Sequence, residues 1–188
     1  MPNRESFDEE APVIEAIRSG DRFAFAELLR RHDGWVRGVI YGVLGDRDCL
    51  DDVAQQAWTT FWLRITELRD AKRWRPWLYR LTRNAAIDAG RDVTRRRARS
   101  GSLPEDTPAA DPAATPERDV VRDERQRDVL AAVQALPALY REPFVLRHLN
   151  GWSYRDISEA MGMPVDTVET RLVRARRFLR ESLKDKVL

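Results

Sequence analysis

The sequence predicts an all-α protein made of two small helical domains, joined by a flexible linker rich in proline, alanine and acidic residues. Three observations carry this. Apolar residues recur at helical spacing over most of the 188 residues, and no stretch of useful length alternates as a half-buried strand would. In "SGSLPEDTPAADPAATPERD", residues 100 to 119, Pro104, Pro108, Pro112 and Pro116 break any helix, and no apolar face remains to be buried. Near the C-terminus a capped short helix, a glycine-containing turn and a longer amphipathic helix follow one another, which is the helix-turn-helix layout. The boundaries implied are a first domain over 10–98, a linker over 99–117 and a second domain over 118–186.

In the first domain, Val13, Ile14 and Ile17 place a short helix that stops at Gly20. Phe25, Leu28, Leu29, Val36, Val39, Ile40 and Val43 then run at helical spacing to a turn at Gly45 and Asp46. In "CLDDVAQQAWTTFWLRITEL", Val53, Ala57, Phe61 and Ile65 repeat every four residues, as one buried stripe requires. The next helix has Pro76 in its first turn, where a missing N–H costs nothing. Its wheel puts Leu78, Leu81, Ala85 and Ala89 on a buried arc and gathers Arg80, Arg83, Asn84 and Arg91 elsewhere, with Trp77 and Asp88 at the border.

In the second domain one helix ends before Pro137 and another closes at Gly151. Ser153 and Asp156 form a capping-box pattern, and Gly162 with Pro164 ends the helix they start. The last helix carries Val165, Val168, Leu172, Ala175 and Leu179 on one arc. Asp166, Thr167, Thr170, Arg174 and Arg177 lie opposite, with Glu169 and Arg171 on the flanks.

Composition narrows the classes of function. At 43% hydrophobic the chain can bury a real core, and neither a signal peptide nor a bilayer-length apolar run is visible, so a cytoplasmic protein is expected. Cys49, the single cysteine, can form neither an internal disulfide nor a cysteine-rich zinc site. The net charge of +2 hides a division: −5 over residues 1–68, +8 over 69–99, −4 over 100–128 and +3 over 129–188. A metal-dependent nuclease would need converging ligands, yet Asp51 and Asp52 point to different sides of a helix and His32 and His148 fall in different domains. No enzyme activity, metal or cofactor is therefore expected.

The last helix has the chemistry of a major-groove reader. Arg174 suits a bidentate bond to guanine, Thr170 a base or a thymine methyl, and Glu169 the N4 amine of cytosine. Arg171, Arg176, Arg177 and Arg180 suit phosphates or bulk water. An autonomous helix-turn-helix repressor or activator is the competing assignment, though no heptad-bearing dimerisation helix or ligand-binding domain accompanies it.

Three stretches, taken in order, resemble the extracytoplasmic-function sigma factors of the sigma-70 family, the small promoter-recognition subunits of bacterial RNA polymerase. "DDVAQQAWTTFW" resembles the helix that docks on the polymerase clamp, which implies core contacts by Asp52, Gln55, Gln56, Trp58 and Trp62. "WRPWLYRLTRNAAID" is similar to the segment that melts and reads the −10 element, which implies roles for Trp74, Trp77, Arg80, Arg83, Asn84, Asp88, Arg91 and Arg95. "SYRDISEAMGMPVDTVETRLVRARRFLRESL" resembles the −35-binding helix-turn-helix, which implies contacts by Asp166, Thr167, Glu169, Thr170, Arg171, Arg174 and Arg177. Gln56 stands where the family usually has an acidic residue, and Glu169 where it often has a basic one, so the family's usual −35 sequence does not transfer.

The resemblance implies a monomer bound to the polymerase core, touching the clamp of its largest subunit and its flap, with promoter DNA and an anti-sigma factor as further partners. Asn84, with donor and acceptor on one short side chain, suits an extruded base, and the loop expected around Gly90 to Arg97 adds to that site. Arg80, Arg83 and Arg91 suit phosphates, Asp88 orients Arg91, and the run from Arg95 to Arg97 suits the backbone of a displaced strand. Trp74 and Trp77 have two open assignments, stacking on a base or packing in the core.

Overall fold

The computed structural model describes residues 10–45, 49–100 and 128–184, and every regular element among them is helical. The first half holds α1 (Ala11–Arg18), α2 (Arg22–Leu44), α3 (Leu50–Arg64) and α4 (Trp74–Ser100), with short 3-10 turns at Ile65–Glu67 and Ala71–Arg73. The second half holds α5 (residues 128–135), α6 (Ala138–His148), α7 (Tyr154–Met161) and α8 (Val165–Lys184).

Most helix ends follow from local chemistry. The Asp21 carboxylate accepts from the amides of Phe23 and Ala24 at 2.8 and 3.0 Å and starts α2. Gly45 ends it at φ 80°, in the left-handed region; Asp46, the other half of the expected turn, lies outside the described residues. Val53, Ala57, Phe61 and Ile65 are buried as their spacing predicts, although α3 stops at Arg64 and Ile65 opens a 3-10 turn. Ser153 and Asp156 make the predicted capping box, and Gly162 closes α7 at φ 65°.

The sequence predicts a loop around Gly90–Arg97 and a linker from residue 99, but the backbone stays helical through Ser100. From Trp77 to Ser100 the chain contains no proline and many arginines, which are good helix formers, and Gly90 is its one weak point. A Cβ at Gly90 would sit 3.1 Å from Leu44, so the small residue admits the end of α2. Residues 101–117 of the expected linker lie outside the described residues.

The two helical domains that the sequence predicts are packed against each other. They share one continuous core, in which Val36, Ile40, Phe61 and Leu78 join Leu146, Trp152, Ile157 and Leu172. Helix α6 lies against α2 along glycines at 38, 42 and 45. A Cβ at Gly42 would stand 3.2 Å from the Glu142 Cα, and one at Gly38 would stand 2.6 Å from the Asn150 amide nitrogen. Asn150 donates to the Trp35 carbonyl at 3.3 Å across the same seam.

Arg141, itself buried, donates to the carbonyls of Gly42 and Val43 at 3.0 and 3.1 Å and to that of Gln134 at 2.7 Å. The last carbonyls of a helix have no partner within it, so this guanidinium serves the ends of α2 and α5 together. Because the second half covers another side of α4, its buried residues after the first turn are Leu78, Tyr79, Thr82 and Ala86, while Leu81, Ala85 and Ala89 of the predicted arc are half-buried.

At the other end of the first half a buried ionic group ties α1, α2 and α4 together. Glu10 lies 2.6 Å from His32 Nε2 and 3.4 Å from Arg75 Nη2, beside the Trp74 indole. Burial works to raise the Glu10 carboxyl, and the hydrogen bonds and charges of His32 and Arg75 overcome it, leaving its pKa below the ordinary value. Glu10→Ala takes the carboxylate from the buried Arg75 guanidinium and from the His32 ring, and is expected to cost about 3 kcal/mol in urea unfolding. A lowered carboxyl pKa means that the folded chain binds fewer protons than the unfolded one. The stability from Glu10 is therefore fully present above the ordinary carboxyl value of 4.5 and is lost as pH falls below it, an acid sensitivity that Glu10→Gln should reduce in pH-dependent melting.

Candidate nucleic-acid interface

Helix α8 buries Val168, Leu172 and Ala175 and holds its opposite face in solvent. Asp166, Glu169, Thr170, Arg174 and Arg177 are exposed, and Thr167 and Arg171 half-buried, while Val165 of the predicted apolar arc is exposed too. A shallow groove between this face and α6 is lined by Tyr140, Thr167, Thr170, Arg171 and Arg174. The Tyr140 hydroxyl lies 3.5 Å from Arg174 Nη1, and its ring packs 5.5 Å from that of Phe178. Arg177 pairs with Glu181 at 3.0 Å, an exposed pair that a phosphate can displace at small cost.

On α4, Arg80, Asn84, Asp88, Arg91 and Arg95 are exposed. Asp88 lies 3.4 Å from Arg91, as their spacing predicts, and Asp92 holds Arg95 in the same way at 3.6 Å. Trp77 is half-buried, its ring 5.6 Å from that of Phe61. Trp74 is fully buried against His32 and Trp35, so of its two open assignments the structure supplies packing: the helix begins at Trp74, whose side chain turns into the core and not into a basic loop.

Arg83 is engaged across the seam. It donates to both oxygens of Glu142 at 2.8 and 3.2 Å, and the Tyr79 hydroxyl donates to Glu142 at 3.2 Å. The bond from Glu142 raises the pKa of Arg83, while burial and then the Glu142 charge push the Tyr79 hydroxyl upward, so it remains a neutral donor. Arg80, Arg83 and Asn84 share a groove of about 560 Å³ with Glu142 and Glu159 of the second half and Arg171 of α8.

A further groove, of about 480 Å³, lies on the opposite partner of α4, between α2 and α3. Gln55, Trp58 and Trp62 line it, whereas Asp52 and Gln56 are exposed beside it. Trp58 is buried, its indole N–H donating to Asp33 at 2.9 Å, and Phe25 bridges both tryptophans with centroid separations of 6.0 and 5.0 Å. Asp33 and Asp51 both hold Arg37. Phe25, Asp33 and Arg37 were not among the predicted residues, because they reach this groove from α2; the four-residue spacing of Asp33 and Arg37 is the signal that could have found them.

Among the described residues no group of three or more histidine, cysteine, aspartate or glutamate side chains converges as a metal site, and no helix is long and apolar enough to cross a membrane.

Residues 28–97 match the family described as Sigma-70 region 2, and residues 126–179 match Sigma-70, region 4. The RNA polymerase sigma-H factor of Pseudomonas aeruginosa is 31% identical over 186 residues, covering 94% of this chain and 95% of that protein. The ECF RNA polymerase sigma-E factor of Haemophilus influenzae is 30% identical over 178 residues, covering 92% and 94% respectively. Among solved structures, a chain of the complex of CnrH with the cytosolic domain of CnrY aligns with a TM-score of 0.68 at 25% identity, over 94% of this chain and 97% of that one. A chain of the complex of the sigma factor RpoE with the anti-sigma factor NepR from Bartonella quintana has a TM-score of 0.67 at 24% identity, over 85% and 96%, and bears on the fold.

Trp58→Phe keeps the aromatic packing but removes the donor to Asp33, and is expected to cost about 1 kcal/mol in urea unfolding.

Proposed function

Because the chain belongs to the extracytoplasmic-function group of the sigma-70 family, we propose that its faces divide three tasks: polymerase docking, −10 strand reading and −35 duplex reading. As a member it is an alternative sigma factor, which binds RNA polymerase core and directs promoter-specific initiation. Such factors are DNA-binding regulators and not enzymes. The observation that carries the division is the arrangement of α8, which has a buried stripe on one side and an exposed polar first half on the other. This is what a major-groove helix requires.

In this division residues 118–186 read the −35 element. Arg174 donates to guanine, and Asp166, Thr167, Glu169 and Thr170 approach base edges from the first turns. Arg171 and Arg177 meet phosphates, and Glu169 sets a preference at its own position by accepting from cytosine N4 while repelling phosphate. Residues 10–98 dock the polymerase and handle the −10 strand, and 99–117 connect the two. Asn84 hydrogen-bonds an extruded base, while Arg80, Arg83, Arg91 and Arg95 hold the strand. Asp88 positions Arg91, and Trp77 supports Asn84 from the border of the helix. Trp74 acts only from within the core. The groove with Gln55, Trp58 and Trp62, flanked by Asp52 and Gln56, takes the polymerase clamp. An anti-sigma factor fits as inhibitor, since a relative of the same fold is solved with one.

Arg174→Ala is expected to weaken −35 duplex binding by about 10-fold or more, corresponding to about 1–3 kcal/mol for a bidentate base contact. Asn84→Ala should slow open-complex formation while leaving −35 binding nearly unchanged. Run-off transcription with core polymerase, read beside duplex binding by the holoenzyme, separates these outcomes. Equal loss in both assays for Asn84→Ala sinks its assignment, and tight specific promoter binding by the chain without core polymerase sinks the division of tasks.

A further inference from the structure

We infer that Tyr140, on a helix outside the helix-turn-helix, is a positioning residue for −35 reading: its hydroxyl holds the Arg174 guanidinium with one edge left free for guanine. The inference rests on the assignment of Arg174 to a guanine of the −35 duplex.

The helix that carries Arg174 does not orient it. One turn away on either side stand Thr170, Arg171, Arg177 and Phe178, and none of them is a carboxylate. Arg177, on the same exposed face, is by contrast held by Glu181 at 3.0 Å. An exposed arginine without such a hold spreads over many rotamers, and a bidentate base contact has to order it at the moment of binding. Among the described residues the hold on Arg174 comes from α6, where the Tyr140 hydroxyl accepts from Nη1 at 3.5 Å.

Tyr140 is itself fixed. Its amide donates to the Pro137 carbonyl at 2.9 Å in the first turn of α6, and its half-buried ring packs against that of Phe178 with the planes 31° apart. Leu146 of the same helix shares a core with Leu172 of α8, which sets the two helices against each other. A tyrosine has few side-chain torsions, so its hydroxyl is a firm point to which the longer arginine is tied. Both partners belong to the second half, and their contact does not depend on how the halves are placed.

The contact also spares the useful edge of the guanidinium. With Nη1 tied to Tyr140, the edge formed by Nε and Nη2 stays open. Arg83 turns that same edge to the two oxygens of Glu142 at 2.8 and 3.2 Å, the fork that the O6 and N7 atoms of guanine would receive from Arg174. The groove beside the pair, about 370 Å³, is lined as well by Asp166, Thr167 and Thr170. The hydroxyl therefore stands at the border of the reading face and not behind it.

The test is a double-mutant cycle in the holoenzyme. Core polymerase is combined with the full chain carrying Tyr140→Phe, Arg174→Ala or both, and each complex selects from promoter duplexes randomised across the −35 element. Phenylalanine keeps the ring contact with Phe178 and removes only the hydroxyl. Arg174→Ala is expected to abolish a guanine preference at one position. Tyr140→Phe is expected to lower the preference at that position by about threefold, to leave the other positions within about 1.5-fold, and to change nothing further once Arg174→Ala is present.

A loss spread evenly over all positions means that Tyr140 only supports the helix, and an effect that persists without Arg174 means that it touches DNA directly; either overturns the inference. A guanine preference sharpened by Tyr140→Phe overturns it too, because the hydroxyl then competes with the base. If Arg174→Ala erases a preference that Tyr140→Phe leaves untouched, the assignment of Arg174 stands and the inference alone falls. If Arg174→Ala leaves every preference intact, that assignment falls and takes the inference with it.

Discussion

Arg141 and Glu142, adjacent side chains of opposite charge, bind two different helices of the first half, and the arrangement of the molecule depends on that double hold. Arg141 meets the carbonyl end of α2 and Glu142 meets the donors of α4. The pairing agrees with helix polarity, since a cation belongs where a helix leaves its carbonyls unmatched. For α6 to deliver both groups it must lie almost against the α2 backbone. Only the absence of side chains at Gly38, Gly42 and Gly45 permits that: at Gly45 a Cβ would come within 1.9 Å of the Arg141 guanidinium. The glycines, the arginine and the glutamate therefore form one structural unit spanning about a hundred residues of sequence.

The aromatic groups fall into two populations with different duties. Trp58, Phe61 and Trp62 of α3 pack with Phe25 and Trp77, and Phe25, Trp58 and Trp62 give the groove between α2 and α3 an apolar floor edged by Asp33 and Arg37. Trp35, Trp152 and Tyr79 meet at the seam between the halves, with Trp74 behind Trp35. Around α3 the indole N–H of Trp58 has its carboxylate, as a permanent core demands. The indole donors of Trp35, at the seam, and of Trp74, behind it, lack partners.

Local rules were legible from the sequence, and relations between distant segments were not. The Ser153–Asp156 box, the left-handed stops at Gly45 and Gly162, the stripe from Val53 to Ile65 and the two faces of α8 each need only a few neighbouring residues. Trp74 was undecided because its burial is set by His32 and Trp35, some forty residues earlier. The environment of Arg83 depends on a glutamate 59 positions away. The wheel of α4 assumed one buried side, whereas contact with the second half gives it two. Its extension to Ser100 was hidden because the arginine-rich tail reads equally as loop or exposed helix, and no packing stripe decides between them. The spacing of Gly38, Gly42 and Gly45 was visible, but it has meaning only once a second helix is known to lie on it.

Two of the chain's six tryptophans, Trp35 and Trp152, face each other where the halves meet, and both are buried there. Indole emission moves to longer wavelength when water reaches the ring. The join thus carries its own optical reporter: the colour of the protein's intrinsic fluorescence registers how well the contact between the halves excludes water, with no label attached.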